Sequence, residues 1–233
     1  MVIEPPPALA GISSMAMRDV LAELGDAYSR KTGQRVLFES VGGVDAARRV
    51  RGGEAFDVVV LAAGAIDELE AAGRTVAGSR VDVARSTIAV AVAAGARRPD
   101  IGSEAALRAA VVAAASIGIS TGPSGAHLAR LLDRWRIASE VSARIVKAPP
   151  GVAVATLVAR GDAEIGFQQL SELINARDVD VVGELPPEIQ ETTIFAGALC
   201  AASAWRDAAG ALLRFLASAD AATAKRRHGM APA

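Results

Sequence analysis

Residues 8–72 read ALAGISSMAMRDVLAELGDAYSRKTGQRVLFESVGGVDAARRVRGGEAFDVVVLAAGAIDELEAA, and the fold turns on how this stretch alternates. Ala8–Ile12 is a short apolar run that predicts a strand. Met15–Lys31 places Val20, Leu21, Leu24 and Tyr28 on one helical face, and Gly33 follows where a helix favours a C-terminal glycine. Arg35–Phe38 reads as the next strand and Val44–Arg51 as a helix stopped by Gly52 and Gly53. Asp57–Leu61 is a continuous apolar strand of the kind buried on both faces of a parallel sheet, and Ala65–Ala72 is a short helix. Strand and helix alternating three times predict a parallel α/β sheet with right-handed crossovers.

The alternation resumes further on. Arg85–Ala93 is a longer β-rich run, followed by a helix at Ser103–Ala114, a strand at Ser116–Ile119 and a helix at Gly125–Trp135. Ala143–Val146, Val152–Arg160 and Ala163–Phe167 read as strand, helix and strand. Val179–Val182 and Thr192–Cys200 are apolar β runs, and Ala208–Ala217 and Ala221–Arg227 are helices. Two βα series separated by β-rich crossings predict two α/β lobes joined by a pair of strands. Lobe 1 is discontinuous, residues 1–84 plus 195–233; lobe 2 is 85–194; the C-terminal helices return to the first lobe. A cleft between two lobes is the default place for a ligand.

Composition narrows the function. The 233 residues carry 25 Lys+Arg against 26 Asp+Glu, a formal net charge of −1, which argues against a nucleic-acid binder. Hydrophobic residues at 52% exclude a disordered chain, and aromatics at 3% require a core of Ala, Val, Leu and Ile. One cysteine, Cys200, excludes an internal disulfide and a Cys-based zinc site, and two histidines leave little for a metal centre. No metal or cofactor is therefore expected. No apolar run is long enough to span a membrane. The opening Met-Val-Ile-Glu-Pro-Pro-Pro lacks a basic n-region and an apolar h-region. As it stands the sequence predicts a cytoplasmic protein, and a periplasmic one if a leader has been removed.

Five strand-to-helix loops are candidates for ligand contact, because ligands bind beyond the carboxyl ends of parallel strands. They contain Ser13, Ser14 and Met15; Gly42 and Gly43; Ala62 and Ala63; Ser124 and Gly125; and Gly151 and Val152. All are small, hydroxyl- or glycine-bearing and precede a helix, whose free N–H groups favour an anion. Gly, Ser and Pro also punctuate any βα unit, so the number of loops carries the argument. Arg85 at the start of the first crossing strand would clamp a carboxylate if buried. His127 would stand at the cleft rim, and Gln168 and Gln169 at a strand end would orient a polar ligand. Neither G-x-x-x-x-G-K-[ST] nor G-x-G-x-x-G after the first strand is present, which argues against nucleotide chemistry. Gly122-Pro123-Ser124-Gly125-Ala126 approaches a G-x-S-x-G elbow, with Asp178 or Asp180 and then His228 in hydrolase order. The final glycine is replaced by Ala126, and His228 sits in a charged helix.

Taken together, Lys31-Thr32-Gly33, Gly42-Gly43, Gly53-Glu54-Ala55-Phe56-Asp57 and Ile66-Asp67-Glu68-Leu69 resemble the molybdate-binding-protein-like branch of type II periplasmic solute-binding proteins. Val158–Phe167 and the closing Phe215–Ser218 and Gly229–Pro232 are similar to its later segments, so the resemblance covers nearly the whole chain. It implies an α/β fold of the two-lobed type II periplasmic-binding-protein kind, each lobe a mainly parallel sheet flanked by helices, closing by a hinge at the two crossing strands. It also implies a small anionic ligand, polycarboxylate or oxyanion, and a membrane permease as partner if the chain is exported. The family's first-loop serine maps near Ser14 or Ala16, its second-loop serine onto Gly43 and its second-lobe tyrosine onto Gln169. These departures point away from molybdate and toward an organic anion. The branch includes aconitate isomerases, so a cofactor-free isomerase of a di- or tricarboxylate stands beside the binding protein, as does a cytoplasmic ligand sensor.

Overall fold

The computed structural model describes residues 7–149 and 151–233. Six of the seven opening residues, on which the reading of localisation draws, and Pro150 lie outside the described residues. In chain order the elements are β1 (Leu9–Ser14), a 3-10 turn (Met15–Met17) leading into α1 (Arg18–Thr32), β2 (Val36–Val41), α2 (Gly43–Arg51), β3 (Val58–Ala62) and α3 (Ala63–Ala71). Then come β4 (Val81–Ala93), α4 (Glu104–Ala113), β5 (Ile117–Ile119), α5 (Pro123–Arg134), α6 (Ala138–Val141) and β6 (Ile145–Lys147). The chain continues through α7 (Val154–Ala159), β7 (Ile165–Gln169), α8 (Leu170–Leu173) and β8 (Val179–Glu184). It ends with β9 (Thr192–Leu199), α9 (Arg206–Ala217), α10 (Ala222–Arg227) and β10 (Ala231–Pro232).

The chain divides into two compact units: unit 1 comprises Met1–Arg85 and Ile194–Ala233, and unit 2 comprises Ser86–Thr193. In unit 1, β1 lies between β2 and β3, parallel to both, and β9 runs antiparallel to β3. The strands alternate as a two-faced sheet must. Val58 and Val60 pack with Leu21, Leu24, Leu212 and Leu216 of α1 and α9. Val59 and Leu61 face the other way, onto Ala46, Val50, Ile66 and Leu69 of α2 and α3. Helix α1 buries Val20, Leu21, Leu24 and Tyr28 along one stripe and ends at Gly33, whose φ of 75° only glycine adopts freely. Buried Asp57 fastens the sheet's start: its carboxylate accepts from the Ala10 N–H at 2.9 Å and from Ser203 Oγ at 2.6 Å.

In unit 2, β5 is parallel to β6 and β7, and β4 runs antiparallel to β7 on one side and β8 on the other. Ile88, Val90 and Val92 of β4 join Leu107, Val111, Leu128 and Leu131 of α4 and α5. Ala89 and Ala91, on the opposite face, meet Ala155 and Leu173 of α7 and α8. Each unit is thus a three-layer helix–sheet–helix sandwich with a mainly parallel sheet. No helix among the described residues is long and apolar enough to cross a membrane.

Candidate functional site

The carboxyl ends of the parallel strands in unit 1 lie side by side at Ser14, Val41 and Ala62, and each is followed almost at once by a helical start. The residues that precede these helical segments, Ser14, Gly42 and Ala62, make no side-chain cap. The first N–H groups of a helix have no intrahelical acceptor, so this edge of the sheet carries the positive ends of α2 and α3. Ser13, Ser14, Met15, Gly42, Gly43, Ala62 and Ala63 are brought together here.

The two adjacent serines behave differently. Ser13 Oγ is 2.8 Å from Ser40 Oγ, the residue opposite it on β2. Ser14 is 8% exposed and its Oγ has no hydrogen-bond partner. Ser40 was not among the residues expected at the site; the register that sets it against Ser13 is the signal for it. Arg85 sits opposite Ala231 of β10 and is exposed, between buried Ala84 and Ser86. The expectation of a buried guanidinium is corrected: the strand's alternation turns position 85 outward where 84 and 86 turn in.

Unit 2 gathers the remaining candidates at the carboxyl ends of β5, β6 and β7. Ser124 is buried in the first turn of α5, with Oγ 2.9 Å from Ser120 Oγ, which in turn accepts from the Gly122 N–H at 3.2 Å. Gly125 is required by proximity, since a Cβ there would stand 1.9 Å from the Ser120 carbonyl oxygen. His127 donates through Nε2 to the Ile189 carbonyl at 2.7 Å, and its Nδ1 lies 2.9 Å from Glu191 Oε2, which also pairs with Arg130. The ring thereby ties α5 to the segment before β9. Gly151 turns the chain with φ 76°, and Val152 donates to the Pro149 carbonyl at 3.0 Å, so the helix expected from Val152 begins at Val154 instead.

The two glutamines are fully buried and fully engaged. Gln168 Oε1 accepts from the Ala155 N–H at 3.1 Å, capping the first turn of α7, while its Nε2 donates to Glu172 Oε1 at 2.8 Å. The Gln169 oxygen accepts from Thr193 Oγ1 at 2.8 Å and its nitrogen donates to the carbonyls of Ser86 and Thr87 at 3.2 and 3.3 Å. These amides hold unit 2 together: Ser86 and Thr87 lie where β4 enters it, and Thr193 where β9 leaves it. Ser86, Ser171 and Thr193, buried around Gln169, were not expected at the site, and nothing local in the sequence marks them.

The hydrolase arrangement finds no support. Ser124 is bonded to Ser120, His228 Nε2 is 2.9 Å from Glu23 Oε2, and Asp180 accepts from the Gly95 N–H at 3.2 Å. Cys200 is buried, and desolvation and then Asp57 push its thiol up to about 12, which keeps it unreactive. Among the described residues no group of three or more His, Cys, Asp or Glu is placed to hold a metal ion.

This architecture is the type II periplasmic-binding-protein fold. The periplasmic molybdate-binding protein of Azotobacter vinelandii matches with a TM-score of 0.81, at 20% identity over 95% of this chain and 98% of that one. The sulfate-binding protein of Mycobacterium tuberculosis H37Rv matches with a TM-score of 0.77, at 16% identity over 97% and 86%. The chain belongs to the bacterial extracellular solute-binding protein family, whose model matches residues 9–231. An aconitate isomerase from a Pseudomonas species is 37% identical over 237 residues, covering 98% of this chain and 89% of that protein.

Proposed function

We propose that this protein reversibly binds a small organic anion, a di- or tricarboxylate rather than molybdate, at the strand-end loops, with unit 1 supplying the donors that carry the reading. The supporting observation is the buried Ser14 hydroxyl without a partner, set among helix starts that no side chain caps. A buried hydroxyl left unbonded costs about 1–3 kcal/mol, and a ligand oxygen removes that cost. Helix N-termini supply anion affinity without a cationic side chain. In this reading a permease would be the partner if the chain is exported.

The test is a thermal-shift and calorimetric panel of citrate, cis- and trans-aconitate, malonate, sulfate, molybdate and tungstate. A ligand that binds only the folded chain at one hundred times its Kd stabilises it by about 2.7 kcal/mol. Polycarboxylates are expected to raise the midpoint; a panel with no response would overturn the reading, and a response to molybdate or tungstate alone would replace its ligand.

A second reading is favoured by one observation, the 37% identity to an aconitate isomerase across 98% of the chain. The chemistry would take a proton from the methylene carbon of the tricarboxylate and return it to the far carbon of the allylic system, so that the double bond migrates and no atom is gained or lost. Following trans-aconitate by ultraviolet absorbance and proton NMR separates the two: turnover establishes the isomerase, and binding without turnover the binding protein.

A further inference from the structure

We propose that His127 is a proton-operated clip: with both ring nitrogens protonated it fastens the segment before β9 to α5, and with one proton lost it releases Glu191. The clip lies wholly within unit 2 and does not depend on the anion reading.

The segment is residues 185–191, between β8 and β9. Leu185 and Ile189 are buried in the core that β4 and α5 share, and the Leu185 N–H donates to the Ile88 carbonyl at 3.1 Å. Gln190 grips both backbone groups of Ile88, its Oε1 accepting from the N–H and its Nε2 donating to the carbonyl, each at 3.0 Å. These hydrogen bonds all fasten the segment to β4. Its polar contacts with α5, among the described residues, run through His127 and Arg130. The ring's Nε2 meets the Ile189 carbonyl at 2.7 Å, its Nδ1 meets Glu191 Oε2 at 2.9 Å, and Arg130 pairs with that same oxygen.

The two partners of the ring decide its chemistry. A carbonyl oxygen and a carboxylate only accept, so both bonds form together only when both nitrogens carry hydrogen. A neutral imidazole has a single N–H. With that hydrogen kept on Nε2 for the carbonyl, the Nδ1 lone pair faces a carboxylate oxygen at 2.9 Å and repels it. The donor at hand is Arg130, whose Nη2 is 3.5 Å from Nδ1, so the neutral ring can exchange Glu191 for the guanidinium. The His127 side chain is only 12% exposed, which leaves little water to relieve a mismatched pair. The charged groups facing the ring are therefore Glu191 of the segment, which favours the second proton and is the nearer, and Arg130 of its own helix, which opposes it. Of histidine, glutamate and arginine, only histidine ordinarily changes charge near neutrality. The closed clip holds one proton more than the open one, so rising pH favours opening. Glu191 runs directly into β9, where Thr193 bonds Gln169, so release reaches the first residues of that strand.

Hydrogen exchange at amides 189–193 of the full chain, followed from about pH 5 to 9 and corrected for the intrinsic pH dependence of exchange, tests this beside proton–nitrogen NMR of the imidazole rings. The chain has two histidines, and the ring signal lost in His127→Gln is that of His127. In the wild type, opening is expected to rise about fivefold or more from acid to alkaline pH, with the same midpoint as the His127 ring, and the ring is expected to keep its hydrogen on Nε2 above that midpoint. His127→Gln has no ring to titrate, and Glu191→Gln offers an amide that donates to the neutral Nδ1. Opening in each is expected to stay constant within about twofold over the same range. Circular dichroism at both ends of the range establishes that each variant is folded. Coincidence of the two wild-type midpoints needs no variant, so it decides the matter should a substitution fail to fold. Wild-type opening that ignores pH, that changes at a midpoint other than the ring's, or that keeps its pH dependence in either folded variant overturns the clip.

Discussion

Gly125 shows how little freedom a single position in these loops has. The site for a Cβ is 1.9 Å from a backbone oxygen, that of Ser120, and backbone moves only with its whole segment. Gly125→Ala is therefore expected to cost about 3 kcal/mol or more, read as a drop in the urea midpoint of unit 2 with slower recovery of anion binding. Gln169 is constrained by chemistry instead of volume. Glutamate at 169 keeps the shape but cannot, when ionised, donate to the Ser86 and Thr87 carbonyls that the amide now serves. Gln169→Glu should cost about 2 kcal/mol or more and raise amide exchange at residues 86, 87 and 193; unchanged exchange there would refute the bridging role. That Gln169 ends a strand is legible in the sequence. That its amide is consumed by residues more than twenty and eighty positions away is not, because those partners arrive by β pairing and leave no local pattern. Ser13 and Ser14 likewise look equivalent in the sequence, and only the register with β2 makes one spent and the other free.

At the scale of elements, α7 lies close against its sheet because the strands beneath it carry glycine. Gly118 of β5 and Gly166 of β7 are register partners, and Cβ atoms added there would come within 2.9 and 2.8 Å of Val154 Cγ1, with Val158 Cγ2 only 2.6 Å from the one at 166. Valine cannot rotate out of the way inside a helix. Gly166→Ala is expected to lift α7, break the cap from Gln168 to Ala155 and cost about 1–3 kcal/mol. Hydrogen exchange across 154–159 should quicken at least tenfold, and Val154→Ala together with Val158→Ala should restore it in part. Most elements were legible because each carries a clear period, such as the helical stripe of α1 or the unbroken apolar run of β3. The differences have local causes. α2, α3 and α5 begin one or two residues earlier than the apolar pattern suggests, at Gly43, Ala63 and Pro123, because those first residues carry no large apolar side chain to extend the period. α6 and α8 are four-residue helices and β10 is a two-residue strand, too short to show a period.

For the molecule as a whole, stability against pH follows from how its charges are housed. Glu39 and Glu54 are held below the usual carboxylate range by hydrogen bonds to Arg49, Asp220 by Lys31, and Glu104 by Trp135 and then Arg134. These groups stabilise the folded chain above their unfolded values and lose that contribution as pH falls through their lowered ones. They sit at the surface, where such pairs contribute little, so the acid limb should be shallow. Lys225 is the opposite case: it is 1% exposed in α10, among the core of unit 1, and desolvation lowers its pKa from 10.5. Where the folded value is the lower one, the unfolded chain binds the extra proton. The penalty is therefore complete below the folded value, and it fades as pH rises toward 10.5. Lys225→Met keeps the volume and removes the charge, so it should raise the urea midpoint at neutral pH by the equivalent of about 1 kcal/mol or more. The advantage should narrow as pH rises from the folded value toward and past 10.5, because the folded amine is then already neutral while the unfolded one is still giving up its proton. An advantage that stayed constant across that range would show that methionine merely packs better and that the ammonium carries no burial cost.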